Sequence, residues 1–290
     1  MYRSWRGCWR QVLFRRCGYR PTRFENPGLA PRGRLRSLIS HRRRLVKMQT
    51  MIRNRLHSVV HRHNLNSPDG NLFLAAQRGW WRAQKLSPTE RLCVRQDLEM
   101  LDHLGPQIKE AEAELERLSA CPPWAEQVPY LLQIPGFGLI NTMTLLAAIG
   151  DITRFEGPKK LVGYAGLGAS VHESGETHHT GRITKQGRRE LRWALVEAAR
   201  VAVLNHPYWE QEYQRFARRM EGNKAIVAIA HKLLVVVWHV LTERTGDRKA
   251  DPEMVAFKFM KWSWELNDEA RGGLSTRQPA RRQTGLFATS

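Results

Sequence analysis

Acidic residues are almost missing from the first 89 positions. Only Glu25 and Asp69 stand there against 20 Lys and Arg, so this third of the 290-residue chain carries 18 of its net +20 charges. A divalent-metal site needs several clustered carboxylates, and none can be assembled from two acids. Cysteine is scarce as well. Cys8, Cys17, Cys93 and Cys121 are too few and too scattered for a disulfide framework, and none forms a CxxC pair suited to zinc. A reducing, cytoplasmic setting fits them. The N-terminus has no continuous apolar stretch, which argues against a secretory signal, although its Arg-rich, acid-poor texture also resembles an organelle transit peptide. Long hydrophobic runs are lacking too. The most apolar, "AIVAIAHKLLVVVWHVL" at 225–241, is broken by His231 and Lys232 and reads as a core helix shorter than the ~20 residues of a membrane span. Residues 1–33 keep no period of 2 or 3.6, so no fold is assigned to them.

The chain does have abundant positive charge, with a pI near 10.6. A polyanionic partner follows, nucleic acid first and an anionic membrane surface second. From Arg34 to about His63, Leu35, Leu38, Leu45, Ile52, Leu56 and Val59 recur in three- and four-residue steps, predicting a long basic helix. A second helix is predicted over Pro88–Ser119, with Ser87 as N-cap, Pro88 at its first position and Glu90 closing a capping box. Its apolar seam is Leu101, Leu104, Ile108, Ala111, Leu115 and Leu118. The two stripes suggest an antiparallel helical hairpin or coiled coil over 34–120, either packing helices of one bundle or an oligomerising surface. "CPPW" at 121–124 then opens a compact domain over 121–250. Its helices are expected near 124–132, 138–149, 157–165, 187–204, 207–219 and 223–244, with an irregular loop over 168–186 and at most a short β-like excursion there. Residues 251–290 form an extension whose tail, from Arg271, is polar and disordered by composition. The fold class is mostly α.

Two stretches carry chemistry. "LLQIPGFGLINTMTLLAAIGD" sets a Pro-Gly-x-Gly turn between apolar helical segments. Gly136 and Gly138 would permit a tight helix-hairpin-helix whose backbone N–H groups meet phosphate, and a plain helical turn explains them too. In "ASVHESGETHHTGRITKQGRREL", Gly175, Gly181 and Gly187 let a loop bend around a ligand, while Lys185, Arg188, Arg189 and Arg192 line the start of a helix. Ser174 beside Gly175 is open enough for a nucleophile, with His172, Glu173, His178 and His179 near it in sequence. The residues alone reach a phosphate-binding loop with a plausible nucleophile.

The order "IPGFG…AAIGDITRF…KKLVGYAGLGASVHESGETHHTGRITKQGRRELRWALVEAA" resembles the C-terminal transposase domain of insertion sequences 110, 116 and 902, relatives of the Piv DNA invertase. The likeness covers roughly residues 125–215, and the preceding "RLRSLISHRRRLVKMQTMIRNRLHSVV" is similar to that family's linking helix. The resemblance implies a DNA transposase or site-specific recombinase in which Ser174 attacks the phosphodiester and Gly175 completes the motif. Gly181, Arg182, Lys185, Gly187, Arg188 and Arg192 would shape the DNA-facing surface, and Ser170 is the rival serine. With Gly136, Gly138 and the basic-helix residues Arg42, Arg43 and Arg44, these are the candidate DNA contacts. The resemblance also implies Mg²⁺ held by an N-terminal RuvC-like domain, and in some members an element-encoded guide RNA. The carboxylates of that domain are not found here, so the chain reads as a truncated homo-oligomer lacking it, with no metal ligands of its own and no membrane partner. The alternative is a non-catalytic nucleic-acid-binding protein using the helix-hairpin-helix and the basic helix.

Overall fold

The computed structural model describes residues 31–174 and 177–266. The expectations for residues 1–33 and for the tail from Arg271, apart from positions 31–33, fall outside these. Ten α-helices and one β-hairpin make up the described residues: α1 Pro31–Arg62, α2 Arg78–Ala83, α3 Pro88–Ser119, α4 Val128–Leu132, α5 Leu139–Ile149, α6 Pro158–Ala165, β1 Ala169–Ser174, β2 Thr177–Ile183, α7 Arg189–Asn205, α8 Pro207–Ala217, α9 Gly222–Glu243 and α10 Pro252–Glu265. The chain divides into an elongated unit, Ser37–Glu114, and a compact unit built from the remainder. Mostly α is therefore the observed class.

In the elongated unit α1 and α3 run antiparallel, and their contacts follow that order: Arg42 is ion-paired with Glu112 and Arg55 with Asp97, and His63, just past α1, is hydrogen-bonded to Glu90. The basic arm thus spends part of its charge on the acidic arm. Ser87 and Glu90 form the expected reciprocal cap, with Glu90 N–H donating to Ser87 Oγ at 3.2 Å and Ser87 N–H to Glu90 Oε2 at 3.4 Å. Hydrogen bonds from His63 first, then Ser87, hold the Glu90 carboxyl below its ordinary range. The core of this unit gathers Leu45, Ile52, Leu56 and Val60 of α1 against Val94, Leu98, Leu101, Leu104 and Ile108 of α3, closed by Trp81 and Leu72. The sequence seam shifts at both ends of α1. Ile39 and Val60 are buried where Leu38 and Val59 were expected. A helix of 3.6 residues per turn drifts away from a strict three-four repeat.

The compact unit forms around α9, which packs on α6, α7 and α8. At 22 residues α9 is long and apolar enough to cross a membrane by those criteria, longer than the run at 225–241 suggested, because Gly222–Lys224 and Thr242–Glu243 continue it. Half of its most apolar window is nonetheless buried, and Lys232, one of the two polar interruptions, pairs with Glu212 of α8. The role as a core helix rests on that burial rather than on length. Two elements go beyond the sequence reading. Residues expected as irregular loop form the antiparallel β1–β2 hairpin, with a register irregularity between Ala169 and Val171. The extension after 251 contains α10, anchored by Trp262 Nε1 donating to buried Ser119 Oγ at 2.8 Å. Cys93 is free and exposed.

Candidate nucleic-acid interface

The Pro-Gly turn has the chemistry its residues require. Phe137 N–H donates to Ile134 O at 3.2 Å, Pro135 occupies the first central position and Gly136 the second with φ +82°, a type II turn. The turn joins α4 to α5 and is pressed on α7. A Cβ added at Gly136 would lie 2.0 Å from the Ala198 carbonyl oxygen. The alanines of α7 permit this approach, since Ala194, Ala198, Ala199 and Ala202 are all fully buried. Gly138, exposed and extended, is the N-cap of α5. The two glycines therefore do different work: Gly136 seats the turn on the core, and Gly138 leaves the first amides of α5 at the surface.

Lys258 of α10 braces the same turn. Its Nζ donates to Leu132 O at 3.0 Å and Ile134 O at 2.8 Å, and burial pulls its pKa from 10.5 down to about 8. Below pH 8 the amine is charged in folded and unfolded chains alike, and the fold carries the whole burial cost. Between about 8 and 10.5 the folded chain has shed a proton that the unfolded chain still holds, so this group's contribution to stability rises with pH. The urea midpoint of Lys258→Met, compared with that of the original chain at pH 7.5 and 9.5, is expected to lack this increment.

The hairpin places Ser174 at its far end. Ser174 pairs with Thr177, followed by Glu173 with His178, His172 with His179 and Val171 with Thr180. Gly175 lies outside the described residues, as do the side chains of Ser174, Ser170 and Arg182 and the surroundings of Gly181. The foot of the hairpin is locked to the end of α6. Thr184 N–H donates to Gly168 O at 3.0 Å, Lys185 N–H to Gly166 O at 3.3 Å and Arg188 N–H to Tyr164 O at 3.1 Å. Gly187, at φ +142°, crosses so closely that a Cβ would stand 2.4 Å from Tyr164 O. Arg192 reaches back from α7 to donate to Ala165 O at 3.1 Å and Lys185 O at 3.2 Å. It works as a latch under the hairpin. Lys185 and Arg188 are exposed.

The other candidate contacts separate on inspection. Arg42 is half-buried and donates through Nε and Nη2 to Glu112 at 2.9 and 2.5 Å, which commits its guanidinium inside the helical hairpin. Arg43 is half-buried and Arg44 exposed. These three belong to the elongated unit, and the turn, the hairpin and Arg192 to the compact one. Among the described residues no group of three or more His, Cys, Asp and Glu gathers as a metal site requires; the side chains of His172, Glu173, His178 and His179 lie outside these. Sequence reasoning missed Tyr164 and Lys258. Tyr164 stands out only as an aromatic between glycines, and nothing near Lys258 in sequence marks its partners at 132 and 134.

Residues 128–215 match the family described as Transposase IS116/IS110/IS902, a span that runs from α4 through the turn and the hairpin to α8. The pilin gene-inverting protein of Moraxella bovis is 34% identical over 149 residues, covering 49% of this chain and 45% of the relative. The transposase for insertion sequence element IS1111A of Coxiella burnetii is 26% identical over 223 residues, 72% of this chain and 59% of its own length. A probable family 20 transposase of Pseudomonas aeruginosa is 25% identical over 219 residues, 70% and 62% of the two chains. Residues 128–215, within the compact unit, are thus similar to the transposase segment of that family. The chain spans about half to three fifths of the length of these curated relatives.

Proposed function

We propose that this protein acts on DNA in strand transfer, as a transposase or site-specific recombinase of an insertion sequence, with Ser174 as nucleophile and Gly175 completing its motif. The observation that carries this reading is the family match over 128–215, which coincides with one locked assembly of turn, hairpin and α7. Ser174 Oγ attacks phosphorus, the bond from phosphorus to one sugar oxygen breaks, and a phosphoserine link forms. The serine proton passes to a base or to solvent, and the departing sugar oxygen takes up a proton. Lys185 and Arg188, exposed at the foot of the hairpin, and Arg182 supply charge toward the backbone; Gly181 and Gly187 shape the loop, and Arg192 holds it. Gly136 and Gly138 present the α4–α5 turn to phosphate in the manner of a helix-hairpin-helix. Of the basic-helix residues, exposed Arg44 is better placed for DNA than Arg42, whose charge is met by Glu112.

The divalent cation that the resemblance implies has no ligand set among the described residues; in our reading the carboxylates of a RuvC-like domain would hold it. Element-encoded guide RNA and further copies of the chain are the other partners of this reading, which places the protein in the cytoplasm.

The test is a DNA-joining assay with the full chain, Mg²⁺, element-junction duplex and a carboxylate-bearing domain from an intact relative. Joined product is expected only with that domain added, and duplex affinity should fall with salt at a slope of about −0.9 per neutralised phosphate. Salt-sensitive binding without joined product under any of these conditions would favour the binding-only alternative. An affinity indifferent to salt would contradict both.

A further inference from the structure

Arg154 and Arg188 converge on one phenol. The Arg154 guanidinium carbon lies 4.5 Å from the ring centroids of both Phe155 and Tyr164, and those rings are 5.3 Å apart. From the other side Arg188 Nε donates to Tyr164 Oη at 2.9 Å, and that hydroxyl donates on to Ala148 O at 3.2 Å. The frame beneath is fixed. Trp238 Nε1 holds Phe155 O at 3.3 Å, and Arg188 N–H is tied to Tyr164 O. Both arginines are exposed, and neither is ion-paired with a carboxylate among the described residues. Asp151, the acid whose charge Arg154 feels, has its Oδ1 taken by Thr153 N–H and Oγ1 at 3.0 and 2.8 Å. Arg32 and Arg36 add positive charge at the same end of α5, Arg36 through its bond to Ala147 O at 2.6 Å.

Two exposed guanidinium forks that share Tyr164, neither ion-paired with a carboxylate among the described residues, suit an oxyanion that can accept from both. The phenol reports the same field. Burial raises the Tyr164 pKa, yet the hydrogen bonds and charges of Arg154 and Arg188 outweigh it and the net shift is downward.

We propose that Arg154 and Arg188, set in place by Tyr164, form a clamp for one DNA backbone phosphate at the foot of the β1–β2 hairpin. The clamp holds DNA rather than reacting with it, because Ser174 stands at the opposite end of β1. The identity of the ligand rests on the DNA reading above.

Two measurements on the full chain separate the clamp from that reading. In the first, thermal melts are run in phosphate and in chloride at equal ionic strength. The original chain is expected to gain stability in phosphate beyond any gain shown by the double variant Arg154→Gln/Arg188→Gln. In the second, duplex affinity is titrated with salt. Because both forks serve one phosphate, the double variant should flatten the slope by about 0.9, one phosphate's worth, and either single variant by no more than that. Arg154→Lys/Arg188→Lys keeps both charges and should retain the original slope, which separates lost contact from lost fold. Equal phosphate protection in original and double variant, with unchanged slopes, overturns the clamp while leaving the DNA reading standing. Phosphate protection that depends on the arginines, in a chain that binds no duplex, keeps the clamp and overturns DNA as its ligand.

Discussion

Ser174→Ala is expected to abolish joined product, by about 10³-fold or more, while duplex affinity stays within about twofold. Removing the nucleophile of a covalent mechanism leaves no group able to form the linked intermediate, and losses of that size or larger are usual for such a residue. Binding should survive because the serine offers at most one hydrogen bond of about 1 kcal/mol among many phosphate contacts. Ser170→Ala is the control. Ser170 lies on the same strand, four residues from Ser174 and within the irregular stretch between Ala169 and Val171 at the hairpin foot, and its loss should change joining by no more than a few fold. Gel quantification of joined duplex, beside salt-titrated binding of the same preparations, reads both quantities. Equal losses in the two variants would point to damage to the hairpin rather than to a nucleophile.

Gly136→Ala should be the most damaging single methyl in the compact unit. Two costs add. The φ of +82° is strained for any residue with a Cβ, at about 1–2 kcal/mol. The new methyl would also stand 2.0 Å from Ala198 O and 2.9 Å from Ala198 C, backbone atoms in the middle of α7. Neither can yield without moving a helix packed into the core through Leu191, Leu195 and four alanines, so the turn must lift from the core instead. A total of roughly 3 kcal/mol corresponds to a fall of about 6–12 °C in melting temperature for a unit of this size. Gly138→Ala is the matched comparison. Gly138 has ordinary extended φ and nothing within 4 Å of an added Cβ, and a change under about 1 kcal/mol is expected from losing the glycine cap. Differential scanning calorimetry of the two variants decides whether the turn is seated as described.

The helices were legible because their signals are local. Ser87 and Glu90 announce the start of α3, and the spacing of Leu101, Leu104 and Ile108 announces its buried side. The β-hairpin was less legible. "VHESGETHHTGRI" offers polar residues without an apolar alternation, so its pairing depends on anchorage at Gly166, Gly168 and Tyr164 rather than on a face of its own. The function of individual cations was hidden for the same reason. Arg42, Arg188 and Arg192 look alike in the sequence, yet one meets Glu112, one meets Tyr164 and one meets two carbonyl oxygens. Those partners lie 70, 24, 27 and 7 residues away, and only folding brings them together. Lys258 and its acceptors are separated further still, by 126 and 124 positions.

The most direct measurement of the central claim is peptide mapping of a trapped protein–DNA adduct. The full chain, Mg²⁺, the added carboxylate domain and end-labelled junction duplex would be quenched during reaction, digested with protease and nuclease, and the modified peptide sequenced by mass spectrometry. A nucleotide attached through phosphate to Ser174, absent from Ser174→Ala and present in Ser170→Ala, is the predicted result. An adduct on any other residue, or joined product formed without an adduct, would contradict the assignment of Ser174 as the nucleophile.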